Sequence, residues 1–383
     1  MSSTPLSSLK THFGPIHDPR AQHSIDHLLV DIMLVTICAV ICGADSWVEV
    51  ENYGLAKQEW LATFLELPHG IPSHDTIERL FVRLRPAELQ QCFISWVQSV
   101  FEISGGQLIA VDGKTLRGSY ERGGRRAMIH MVSAWATQNR IVLGQRKVNE
   151  KSNEITAIPE LLKVLDLDGA VVSIDAMGCQ TAIAAQIVEQ NGDYVLALKG
   201  NQGDLFDDVV QLFGQARQQS FAGIEHDYFE TREQGHSGIE TRRYWVMGNT
   251  AYLIGAENWA KLTTVGCVES QRYVGDILVC QTRYYLLSLP LDARRFAAAV
   301  RGHWGIENRL HWILDVAFRE DNSRATAGYS GENLAVIRHI ALNLLTQESS
   351  AKGGTRAKRL KAGWDDQYLL KVLAQGKRTA GEV

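Results

Sequence analysis

The feature that most constrains this chain is a change of periodicity at Ser104-Gly105-Gly106. Before it, apolar residues recur at helical spacing; after it, they come in short unbroken runs of strand length. Leu108 to Val111 is the first such run and ends at Asp112. Met128 to Ala136 and Ile141 to Val148 follow, joined by the polar stretch Thr137-Gln138-Asn139-Arg140. Ile155 to Leu165 reads as a helix, with Pro159 tolerable only in its first turns. Ala170 to Ile174 is a buried strand ending at Asp175. A helix from Thr181 to Glu189 is closed by Asn191-Gly192. A strand from Tyr194 to Leu198 and a helix from Asp204 to Phe213 complete the series.

The resulting order is β-β-β-α-β-α-β-α. Three meandering strands followed by α/β units is the order of the ribonuclease-H-like fold, in which the first and fourth strands lie side by side. Asp112 and Asp175 each end one of those strands, so the order alone brings together two carboxylates 63 residues apart. Residues 215–286 read as a β-rich insertion, with short strands at Tyr228 to Thr231, Thr241 to Met247, Thr264 to Glu269 and Arg283 to Leu289. A long helix resumes at Asp292 and carries Glu307. The expected layout is therefore an α-helical N-terminal domain over 1–103 and an α/β, ribonuclease-H-like domain over 104–214 and 287–350. The β-rich insertion fills 215–286, and a basic C-terminal tail covers 351–383, of which Lys352 to Lys361 is expected to be mobile. Within the leading domain, helices are expected from Ile25 to Cys42, from Thr76 to Leu84 with Asp75 and Glu78 as caps, and from Ala87 to Phe101.

Composition excludes several classes. The chain of 383 residues is 45% hydrophobic and 21% charged, which suits a folded protein and not a disordered one. Its net charge of −4 does not announce a polyanion partner, so any nucleic-acid contact must come from local basic clusters. Six cysteines without a CxxC pair point to free thiols in a reducing cytoplasm. The apolar run Leu28 to Ala44 contains Asp31 and falls short of the roughly 20 residues a membrane span needs, so it is expected to be a buried helix. His23 and His27 stand four apart, as helical zinc ligands would, but no third ligand accompanies them.

Phosphoryl transfer needs help with charge on both the attacking and the leaving oxygen, and two divalent ions about 4 Å apart supply it. Mg²⁺ keeps several waters, so a few carboxylates suffice to hold it. Asp112 and Asp175 are two candidates. Glu307 is the third, because on a helix it shares a face with Val300, Trp304, Leu310, His311 and Leu314. A carboxylate on such a stripe is either paired, for example with Arg301, or working. Plainer readings stand beside the other two: Asp112 with Gly113 as a turn, and Asp175 as a helix cap. Lys114 and Arg117, with Arg122, Arg125 and Arg126 in the next loop, form a basic cluster beside the first acid that suits DNA phosphates. Lys199, Asn201 and Gln202 end a strand on the same side of the sheet and suit phosphate or bases. Asn308 and His311 are placed to orient the site from behind.

Long segments then carry a resemblance. IAVDGKTLRGS (109–119), KSNEITAIPELL (151–162), VVSIDAMGCQ (171–180), YVLALKGNQ (194–202) and RGHWGIENRLHWILDVAFREDNSR (301–324) closely resemble the H-repeat-associated, ISAs-type insertion-sequence transposases, which are DDE transposases. ADSWVEVENYG (44–54) and GIPSHDTIERLF (70–81) are similar to that family's helical leading domain. The resemblance implies a ribonuclease-H-like domain whose Asp112, Asp175 and Glu307 hold Mg²⁺ or Mn²⁺, expected as two ions. It also implies a β insertion between the second and third acids, here 132 residues apart. The implied partners are the element's DNA ends and target DNA, with a homodimer on DNA and no membrane. Related enzymes often place Arg four residues before the catalytic Glu and Lys seven after it; this chain has His303 and Leu314 there. Arg301 and His303 complete the expected DNA contacts.

Overall fold

The computed structural model describes residues 6–101, 106–119, 128–148, 153–235, 238–248, 250–274 and 277–375. Six helices lead: α1 (Ser7–Phe13), α2 (Leu29–Ile41), α3 (Trp47–Ala56), α4 (Gln58–Leu61), α5 (His74–Arg83) and α6 (Pro86–Val100). The apolar run is indeed a buried helix, α2, starting at Leu29 and not at Ile25. A reciprocal cap between Ser46 and Glu49 starts α3, which the periodicity did not predict. Ser73, and not Asp75, caps α5 by accepting from the Thr76 N–H. Pro86 opens α6, where its missing N–H has no partner to lose.

The strands follow: β1 (Leu108–Leu116), β2 (Ile129–Ala136), β3 (Ile141–Lys147), then α7 (Glu154–Leu162), β4 (Val171–Ile174), α8 (Thr181–Glu189), β5 (Asp193–Leu198) and α9 (Asp204–Gln218). β1 and β4 are adjacent and parallel, with Val111 beside Ile174. β4 stops there, but β1 continues against β2 as far as Leu116, so Asp112 lies within a strand and does not end one. What ends at Asp112 is the parallel pairing, and the next residue on β4's side is Asp175.

Residues 226–287 form the meander β6 (His226–Gly235), β7 (Gly238–Met247), β8 (Thr264–Val274) and β9 (Ile277–Leu287). β9 pairs antiparallel with β5, so the meander is not set apart from the rest. It extends one nine-stranded mixed sheet of order β3-β2-β1-β4-β5-β9-β8-β7-β6.

The chain then returns through α10 (Ala293–Ile306), capped by the Asp292 side chain, a π-helical turn Glu307–His311, and α11 (Trp312–Phe318). Gly302 lets α10 lie close on β1: a Cβ there would meet the Leu108 side chain at 2.2 Å. α12 (Ser330–Gln347) is buried along nearly its whole length. Its Asn333 donates to the carbonyls of Phe81 and Leu84 in the leading helices, and its Asn343 bonds both backbone groups of Val142 in β3. The leading helices and the sheet accordingly share one apolar core.

Most of the stretch expected to be mobile is instead helical: α13 (Thr355–Trp364) packs there, followed by α14 (Asp366–Ala374). Arg359 is buried and donates to the carbonyls of Val40, Ala44 and Ala317 and to Asp45. All six cysteines are free. No described helix is long and apolar enough to cross a membrane.

Candidate active site

Asp112 and Asp175 emerge side by side where β4 ends and β1 goes on. Asp175 turns its Oδ1 back to accept from the Met177 and Gly178 N–H groups at 3.1 and 3.4 Å. The loop behind it is braced by two side chains expected on DNA. Asn201 donates to Ala176 O at 2.9 Å and Gln202 to Cys179 O at 2.6 Å. In this structure both side chains brace the Asp175 loop.

Asp112 is mostly buried, and its pKa is pushed up to about 7. Burial is the largest cause. The Gly113 N–H opposes it, while the negative charges of Asp175, Glu154 and Glu307 add to it. Asp175 and Glu307, the other two acids expected from the sequence, therefore both bear electrostatically on Asp112. Among the described residues, however, no three His, Cys, Asp or Glu side chains stand close enough to hold one ion together. Their chemistry suits a hard cation: all are oxygen donors, and Glu307 is exposed and makes no ion pair with Arg301. Arg301 is bound instead to Glu233 at 2.7 Å, which removes the ion-pair reading of Glu307.

Glu154 is the fourth acid, and sequence reading missed it. In the first turn of α7 it reads as an ordinary helix-start acid. Its Oε1 lies 2.5 Å from His130 Nε2, and His130 Nδ1 lies 2.8 Å from Thr115 Oγ1. Gly113 admits it, since a Cβ there would come within 2.0 Å of Glu154 Oε1.

His311 Nδ1 lies 3.6 Å from Asp112 Oδ2, so the π turn that begins at Glu307 delivers a histidine to the first acid. Its pKa is lowered to about 4, first by burial and then by Lys114, which leaves it neutral near pH 7. Asn308 donates to Trp304 O within its own helix. His303 is half-buried, 3.0 Å from Ser173 Oγ through Nδ1, with its pKa lowered by desolvation. That ties α10 to β4.

Lys114 is the largest correction. Its ammonium is buried on Asp315 at 2.5 Å and Glu320 at 2.6 Å, and Arg338 approaches the other Glu320 oxygen at 3.8 Å. Burial works against its charge, but these acids hold its pKa above the ordinary lysine value. It is not available to a phosphate. Arg117 stays exposed, 3.8 Å from Asp321, and Lys199 is exposed at the cleft. Arg122, Arg125 and Arg126 lie outside the described residues. A cavity of about 370 Å³ opens beside Asp175 and Glu307, walled by Lys199, His303 and Trp304, with Arg283 stacked 4.8 Å over the Trp304 ring.

Sheet order and acids together define a mixed α/β protein with negatively charged residues converging beside an open cleft. The chain belongs to the DDE transposase family: the transposase DDE domain matches residues 103–344 and the DDE-transposase-associated domain matches 10–97. It is 42% identical over 373 residues to the Escherichia coli O157:H7 protein named "Putative transposase YncI", covering 96% of this chain and 95% of that one. It is 40% identical over 377 residues to "H repeat-associated putative transposase YhhI" of Escherichia coli K12, covering 96% of this chain and 98% of that one.

Proposed function

We propose that this chain is an active insertion-sequence transposase with a ribonuclease-H-like catalytic domain. It cuts DNA at the element's ends and joins the freed 3′ hydroxyl to target DNA. The observation that carries this reading is the uncompensated negative charge around Asp112, in a chain of the DDE transposase family. Asp112, Asp175 and Glu307 would hold Mg²⁺ or Mn²⁺, two ions in all. When bound, that pair supplies activation of the attacking oxygen and neutralisation of the leaving one.

The chain's own residues do the rest. The loop N–H groups fix one oxygen of Asp175 and leave the other free for the cleft. The neutral His311 sits against Asp112 without competing as a cation. Arg117 and Lys199 take the phosphates of the bound strand. The leading helices recognise the element's ends, and two chains pair on DNA so that both ends are held together.

A second reading, a DNA-binding relic that does not cut, draws on one observation: no three of the described acids reach a common point. One experiment separates the readings. Purified protein is given a plasmid carrying the DNA that flanks its own gene, in Mg²⁺ or EDTA, as wild type and as Asp175→Ala. Metal-dependent cuts at fixed end positions, with joined products, are expected and are lost in the variant. Nicks without joining reduce the protein to a nuclease. Binding without cutting in Mg²⁺ and in Mn²⁺ leaves the relic.

A further inference from the structure

Beyond the acids, the return helix carries an exposed stripe that the catalytic reading does not use. Arg309, Trp312, Val316 and Arg319 recur at intervals of three and four residues, and all are exposed, Trp312 by 60% and Val316 by 46%. A second stripe runs along α13: Arg356, Leu360 and Trp364 stand four apart, with Leu360 43% and Trp364 78% exposed. The two helices are joined, because Arg359 of α13 donates to Ala317 O and lies 4.3 Å over the Phe318 ring at the end of α11.

The charge on this face is one-sided. Arg309, Arg319 and Arg356 make no ion pair with a described residue, and the exposed Lys361 meets only the Tyr368 ring, at 4.5 Å. α13 contains no acid. The neighbouring carboxylates are already engaged: Asp315 by Lys114, Asp365 by the N–H groups of Gln367 and Tyr368, and Asp366 by Lys57.

An apolar stripe alone would suit a second copy of the chain. A two-fold contact, though, lays the same patch on itself and sets arginine against arginine. A partner that complements both features carries anionic groups for the arginines and flat apolar faces for the tryptophans, which is the chemistry of a nucleic-acid strand. α11 follows directly on the π turn that begins at Glu307, so the stripe lies on the same return segment as the third acid. We propose that the outward faces of α11 and α13 form a docking surface for the DNA flanking the cut site. Arg309, Arg319 and Arg356 lie on its phosphates, and Trp312 and Trp364 stack on unpaired or terminal bases. This rests on the transposase reading above.

The test compares wild type with Arg309→Gln/Arg319→Asn/Arg356→Gln and with Trp312→Ala/Trp364→Ala. Asn is chosen at position 319 because that backbone is left-handed, with φ of 50°. All five side chains are exposed, and unchanged melting confirms folding. The probe is a fluorescent duplex from the element boundary with a single-stranded tail, titrated in EDTA at several salt concentrations. The arginine variant should bind about tenfold more weakly or worse, and its log Kd against log salt slope should fall by about one per arginine. The tryptophan variant should lose about tenfold with its slope unchanged. Wild-type affinity and slope in both variants overturn the docking surface and leave the transposase reading standing. A wild type that binds no DNA overturns both. Light scattering adds a third outcome: a variant that turns dimer to monomer with DNA binding intact makes the face a self-interface, which also overturns the proposal.

Discussion

Asp112 and Lys114 stand two residues apart on β1 and head two charge clusters of opposite character, one open to a cleft and one closed. Around Lys114 the charges balance: one lysine and one arginine meet Asp315 and Glu320 within a closed network. Around Asp112 they do not, because Asp175, Glu154 and Glu307 add negative charge and the nearest basic group, His311, is neutral near pH 7. A balanced buried network fixes structure, since each ion loses water but gains a partner. An unbalanced one is a standing demand for a cation, and clusters of perturbed acids in a cleft mark functional sites. The neutral His311 lies between them, in contact with Asp112, its pKa lowered first by burial and then by Lys114, so the balanced network adds to what keeps a neighbour of the acids uncharged.

This contrast breaks most sharply at Asp175. Asp175→Asn should cut strand cleavage by about 10³-fold, since losing a metal ligand removes several kcal/mol of charge stabilisation, and plasmid nicking rates measure it. Its melting temperature should move little. Lys114→Met should do the reverse: leaving Glu320 and Asp315 without their lysine destabilises the fold by about 3–5 kcal/mol, read by urea unfolding. If the folded remainder of that variant, assayed at low temperature, has lost cleavage entirely, Lys114 belongs to the chemistry and the contrast fails.

The next effect depends on pH. The folded-state pKa of Asp112, about 7, is above its value in the unfolded chain. Its ionised form is therefore disfavoured by folding. That cost is absent below pH 4, grows between pH 4 and 7, and is complete above 7. Asp112→Asn should then stabilise the metal-free protein by roughly 2–4 kcal/mol at pH 8 and by almost nothing at pH 4. The smallest effect is at the exposed Arg117: Arg117→Gln should weaken DNA binding only a few-fold and lower the salt slope by about one, with stability unchanged.

The pairing of Asp112 with Asp175 was legible because each follows a run of strand-forming residues, and the strand order dictates which runs become neighbours. The extension of β1 was not legible. Asp112-Gly113 reads as a turn pair, and only pairing with β2 makes it strand. The fate of Lys114 depends on Asp315 and Glu320, more than 200 residues away, so no local pattern carries it. The four strands of the insertion could be read from their alternation, but that β9 joins β5 could not, because either face of β5 reads as apolar. Arg359 sits in a run of basic residues that resembles a solvated tail, yet the carbonyls that bury it come from α2, α11 and the loop after α2.

The central claim, that the Asp112 cleft demands a cation, is tested most directly by melting wild type and Asp112→Asn side by side at pH 8, without metal and with Mg²⁺. The account predicts that the variant melts higher in EDTA and that Mg²⁺ raises the wild type alone, closing the gap. A variant that melts lower in EDTA, or an equal Mg²⁺ shift in both proteins, would contradict it.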